Sequence, residues 1–216
     1  MNSLIEKILE EKLVVIVRGI AKDKIIPLAE AMYNGGVRLI ECTYDASGKV
    51  SDEETAEVIS MLVNHFEGKM RIGAGTVISK KQVSLTKAAG GEFIISPDAN
   101  VDIIRFTKEE GLVSIPGAYT PTEILSAHNA GADFVKLFPA TNLGPAYIKA
   151  VKAPISHVKM LAVGGIDVDN MKDYLKAGVC GFGVGSCITD KKMIESCDFE
   201  GITALARKYV SILKEN

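Results

Sequence analysis

Histidine is scarce in this chain, with only His65, His128 and His157 among 216 residues. The three are scattered, with no His-x-x-x-His spacing and no His/carboxylate cluster, so no metal site is legible and none is expected. The four cysteines, Cys42, Cys180, Cys187 and Cys197, contain no Cys-x-x-Cys pair. Cys42 and Cys180 lie in apolar, strand-like runs where a reduced thiol packs as a small hydrophobe, which points to a cytoplasmic protein. Basic runs are missing too, and the formal net charge is -2, so neither nucleic acid nor an anionic membrane is an expected partner. The opening segment is too polar, and its apolar stretches too short, for a signal peptide or a membrane span. It reads instead as an amphipathic helix, with Leu4, Ile5, Ile8 and Leu9 on one face. Linkers and low-complexity segments are likewise absent.

What is present is an ordinary globular composition, 47% hydrophobic and 24% charged, arranged as one repeated theme. A short apolar, β-branched run is followed by a turn and then by a longer amphipathic stretch. The runs are Leu13 to Gly19, Val37 to Asp45, Arg71 to Val77, Phe93 to Ala99, Val113 to Tyr119, Phe134 to Ala140, Lys159 to Ile166 and Gly181 to Ser186. They number eight and start about 20 to 35 residues apart, the spacing of one strand plus one helix per unit. Several of the intervening helices end in Gly35-Gly36, Gly90-Gly91, Gly131 or Gly178, the expected left-handed caps before the next strand. Eight near-equal units without a break predict one domain over residues 1–216. Its fold class is α/β, a (β/α)8 TIM barrel with an N-terminal helix; an open doubly wound sheet is the alternative.

In such a barrel the chemistry lies at the C-terminal ends of the strands. Arg18, Glu41, Thr43, Thr76, Ser96, Pro97 and Lys136 all fall there. Lys136 interrupts the apolar run Phe134-Val135-Lys136-Leu137-Phe138-Pro139, where its ammonium must snorkel out, find a carboxylate or lose its proton. Side chains two apart share a strand face, so Glu41 goes with Leu39 and Thr43, and Lys136 with Phe134 and Phe138. Two inward charges of opposite sign admit a structural reading, a buried pair holding the barrel in register. Such a pair costs much desolvation for little stability, so its place at the catalytic end argues for chemistry.

A neutral lysine amine attacks a ketone, and each later step moves a proton that a nearby carboxyl can carry. The resulting iminium is an electron sink, so a C–C bond can break without a metal. The segments Gly164-Gly165-Ile166 and Gly183-Val184-Gly185-Ser186 occupy the loops after the last two runs, where this architecture binds phosphate through backbone N–H groups. A small soluble substrate with an anionic tail is therefore the expected partner.

The motifs Val15-Ile16-Val17-Arg18-Gly19, Glu41-Cys42-Thr43, Gly73-Ala74-Gly75-Thr76-Val77, Ile95-Ser96-Pro97, Ile115-Pro116-Gly117, Val135-Lys136-Leu137-Phe138-Pro139, Gly164-Gly165-Ile166 and Gly185-Ser186 occur in order over nearly the whole chain. Together they resemble the KHG/KDPG aldolase family. The resemblance implies a class I aldolase, free of cofactor and metal, that cleaves 2-keto-3-deoxy-6-phosphogluconate to pyruvate and glyceraldehyde 3-phosphate, or 4-hydroxy-2-oxoglutarate to pyruvate and glyoxylate. It implies a Schiff base on Lys136 and acid/base work by Glu41. Thr76 would contact the pyruvyl portion and Arg18 the substrate carboxylate, Thr43 would also bind substrate, and Pro97 and Phe138 would wall the imine. Gly164, Gly165, Gly185 and Ser186 match the phosphate end, and a homotrimer is the implied assembly.

Two positions depart from the family pattern. Asp45 stands where many relatives carry a carboxylate-binding arginine and is expected to repel an anion, and Val163 stands where some carry a threonine. The segment from Ala46 to Glu53 lengthens the second loop. The related 6-phosphogalactonate aldolases share segments like those at Arg18 and Gly144. A phosphosugar isomerase using Glu41 as base, and a non-catalytic metabolite-binding barrel, are the readings of other classes.

Overall fold

The computed structural model describes residues 3–215. The chain runs α1 (Ser3–Glu11), β1 (Leu13–Val17), α2 (Lys22–Asn34), β2 (Leu39–Thr43), α3 (Asp52–Phe66), β3 (Arg71–Gly75), α4 (Lys80–Ala88), β4 (Phe93–Ile95) and α5 (Val101–Glu109). It continues through β5 (Val113–Ile115), β6 (Gly117–Ala118), α6 (Pro121–Asn129), β7 (Val135–Leu137), α7 (Ala140–Lys152), β8 (Met160–Val163), α8 (Met171–Lys176), β9 (Gly181–Val184), α9 (Lys191–Glu195) and α10 (Phe199–Lys214).

Local chemistry sets many of these boundaries. Ser51 and Glu54 form a reciprocal capping box that starts α3, and Thr120 with Glu123 does the same for α6. Asn100 caps α5 by accepting from the Asp102 and Ile103 N–H groups. The glycines expected to end helices, Gly36, Gly90, Gly131 and Gly178, all lie in the left-handed region. Inside α7, Gly144 leaves helical geometry just before Pro145, so the helix kinks there.

The strands are parallel in the order β5-β4-β3-β2-β1-β9-β8-β7-β6. Eight strands were expected and nine segments are found among the described residues, because the fifth run splits at Pro116. Its first half pairs with β4 and its second with β7, so the barrel is completed there by the chain itself rather than by a ladder. A proline has no N–H to contribute to a sheet, which accounts for the break.

Two cores result. The inner one joins Val14, Leu39, Phe93, Ile95, Val113, Ile115, Phe134 and Leu161 with Leu4 and Ile8 of α1. The N-terminal helix therefore plugs the barrel. The larger outer core packs the other strand face, including Val15, Ile40, Cys42, Val135 and Ala162, against the helices. Leu39 and Phe134 in the inner core fix the parity of β2 and β7, so Glu41 and Lys136 face inward.

Candidate active site

Glu41 and Lys136 are 2% and 7% exposed, which is rare for either residue type. Lys136 reaches its position on a strand of three residues, and its backbone N–H donates to the Pro116 carbonyl at 2.8 Å. Its Nζ lies 4.7 Å from the centroid of the Phe138 ring. Among the described residues no carboxylate oxygen comes within the 4.0 Å of an ion pair with this amine. The structural reading of a buried Glu41–Lys136 pair locking the barrel therefore lacks its direct contact.

Burial pushes the Lys136 amine below its usual range, with the Arg18 charge adding to the effect and Glu41 opposing it. Burial pushes the Glu41 carboxyl upward, partly offset by Lys136 and Arg18. Each group is thus biased toward its neutral form. Glu41 Oε2 and Thr43 Oγ1 are buried without a hydrogen-bond partner. Unpaired buried oxygens cost stability, so their presence at the barrel mouth marks a place prepared for something other than the fold.

Arg18, at the end of β1, is exposed and donates from Nη2 to Thr76 Oγ1 at 3.2 Å. Thr76 follows β3 with a φ of 57, in the left-handed region that few threonines occupy. A cavity of about 880 Å³ opens at this side, with Arg18, Thr43 and Thr76 among its lining. It runs outward over Ile20, Ile25, Val50 and Val58, and neither Lys136 nor Glu41 lines it.

On the Lys136 side, Phe138 is 39% exposed and its ring lies beside Gly164, where a Cβ would be 3.3 Å from it. Gly164 and Gly165 form a left-handed turn clamped by Thr141, whose Oγ1 donates to the Gly164 carbonyl at 2.7 Å. A Cβ on Gly165 would strike that hydroxyl at 1.6 Å. Gly185 lies beside Ile16 of β1, and its carbonyl accepts from the Ile188 and Thr189 N–H groups, leaving Ser186 exposed on the turn. Pro97 is exposed after β4, and its carbonyl packs where Gly117 has no side chain. Among the described residues no hydrogen bond joins Pro97, Gly185 or Ser186 to Lys136.

Asp45, expected to repel an anion, lines the same cavity as Arg18. Its carboxylate turns into its own loop, accepting from the Ser47 N–H and Oγ and from the Lys49 and Val50 N–H groups. These donors, the Ser47 hydroxyl first, hold its pKa at about 2. The residue organises the loop between β2 and α3. Sequence reading gave no role to Gly75 or Thr141. The Gly73-x-Gly75 spacing on one strand face was the available signal for the first; nothing in sequence marked the second.

A parallel (β/α)8 barrel carrying buried ionisable groups at its mouth has the make-up of a barrel enzyme. A family model described as KDPG and KHG aldolase matches residues 4–205, and the chain belongs to that family. It is 34% identical to a probable 2-dehydro-3-deoxy-6-phosphogalactonate aldolase of Rhizobium meliloti, over 83% of this chain and 82% of the relative. It is 32% identical to the 2-dehydro-3-deoxy-phosphogluconate aldolase of Haemophilus influenzae, over 99% and 98%. Its fold also matches the KDPG aldolase of Legionella pneumophila, solved with pyruvate captured at low pH as a covalent carbinolamine intermediate. That match has a TM-score of 0.83 at 28% identity, covering 92% of this chain and 94% of that one.

Proposed function

We propose that this chain is a metal-independent class I aldolase acting on a phosphorylated 2-keto-3-deoxy sugar acid. The Lys136 amine attacks the C2 carbonyl, and loss of water from the carbinolamine leaves an iminium. The C3–C4 bond then breaks: the C4 hydroxyl gives up its proton, the aldehyde departs, and the bonding pair flows into the iminium as an enamine. Protonation at C3 and hydrolysis release pyruvate and restore the amine. Glu41 carries the protons, Arg18 with Thr76 and Thr43 holds the carboxylate end, and Phe138 and Pro97 flank the imine. Gly164, Gly165, Gly185 and Ser186 receive the phosphate. One observation carries this reading, a buried lysine amine without an ion-pair partner in the same barrel mouth as a buried carboxyl.

The favoured substrate is 2-keto-3-deoxy-6-phosphogluconate, with 4-hydroxy-2-oxoglutarate as a second. The 6-phosphogalactonate analogue is the competing reading, supported by the likeness to the Rhizobium meliloti protein. A cytoplasmic homotrimer of one-domain chains belongs to the same proposal. Incubation with pyruvate and borohydride is the test: reduction is expected to fix the adduct on the peptide containing Lys136, located by mass spectrometry. Full aldol cleavage with no adduct on that peptide would overturn the reading.

A further inference from the structure

The inner face of β3 gives up two side chains in succession. At Gly73 the vacated space is taken by the Phe93 ring, whose atoms would lie 2.4–2.5 Å from an added Cβ. Gly73 is also the register partner of Glu41, so that ring sits one rung below the carboxyl. At Gly75 the three nearest atoms to an added Cβ all belong to Glu41: Oε1 at 1.8 Å, Cδ at 2.4 Å and Cγ at 2.9 Å. Gly75 does not lie in the left-handed region, so its backbone would accept any L-residue. Space alone requires glycine here.

No donor grips the carboxyl: among the described residues the Glu41 side chain makes no hydrogen bond, and its buried Oε2 has no partner. Its location must come from shape.

We propose that Gly75 is a positioning residue, whose missing side chain forms the seat that aims the Glu41 carboxyl into the barrel mouth. The inference rests on the aldolase reading and adds to it the reason the second glycine of Gly73-Ala74-Gly75 is needed. In Gly75→Ala the new methyl occupies the volume of Oε1, so the carboxyl must swing to another rotamer. The amine of Lys136, on β7, is not among the three nearest atoms that the new methyl would meet.

The test is a double-mutant cycle on the full chain. Gly75→Ala is expected to lower kcat at least tenfold with little change in KM, while still forming the pyruvate adduct trapped by borohydride. Glu41→Ala removes Cγ, Cδ and Oε1 together, so in that background the Gly75→Ala methyl meets none of the three atoms and is expected to lower residual kcat no further. Should Gly75→Ala fold poorly, melting temperatures carry the test. The loss from Gly75→Ala is expected to vanish when Glu41→Ala removes the obstacle. A penalty that persists unchanged in the Glu41→Ala background, or unaltered kcat in Gly75→Ala, would overturn the proposal. A parent enzyme that forms no pyruvate adduct would instead overturn the aldolase reading beneath it.

Discussion

Desolvation acts on Glu41 and Lys136 in opposite directions on the pKa scale but toward the same end, loss of charge. A neutral amine can attack and a protonated carboxyl can donate, so burial biases both groups toward the forms that the proposed carbinolamine chemistry needs. Glu41→Gln, close in size, is expected to keep substrate binding and lose about 10²–10⁴-fold in turnover, read from steady-state kcat. Arg18 bears on the same chemistry through charge. Its guanidinium helps hold the Lys136 amine below its normal range, so Arg18→Gln lets that pKa rise and less free amine remains at a given acidic pH. The acid limb of adduct formation at saturating pyruvate then moves to higher pH, whereas Arg18→Lys leaves the limb in place. Glu41 and Lys136 were legible in sequence because strand parity and an ammonium in an apolar run are one-dimensional signals. Gly75 was not, since its role depends on a side chain from the neighbouring strand filling its space.

At the level of single elements, the β2–α3 loop shows how one carboxylate can shape an entrance. Asp45 gathers the Ser47, Lys49 and Val50 donors, and its pKa of about 2 means the folded loop favours the ionised form. The folded pKa is depressed, so the contribution is fully present above about pH 4 and is lost as pH falls through about 2. Asp45→Ala is expected to speed amide exchange at Lys49 and Val50 at neutral pH while core-strand amides stay protected. Unchanged exchange there would mean the loop holds its shape by other means. The loop beginning at Ala46 was visible in sequence, although the last two residues assigned to it, Asp52 and Glu53, open α3. The inward turn of Asp45 was not, because an aspartate reads the same whether it faces a ligand or the backbone N–H groups of its own loop.

Across the whole molecule, the barrel floor depends on α1. Ile8, 1% exposed, packs with Leu4 among inward side chains from six strand runs. Ile8→Ala is expected to cost about 2–5 kcal/mol, measured as a lower urea midpoint at unchanged slope, with kcat per folded molecule retained. The eight-unit repeat and its helix-ending glycines made the barrel readable, since each unit carries its own periodicity and stop signal. The division of the fifth run was hidden, because Ile115-Pro116-Gly117 looks like a continuous strand until both neighbours are known. That division reaches the reacting centre. The Pro116 carbonyl, at the break, accepts the Lys136 N–H, and the Ala118 carbonyl accepts the Phe138 N–H. Lys136, the proposed nucleophile, is therefore anchored on one flank to the stave that is itself divided between two short ladders, so its placement depends on both halves of that run.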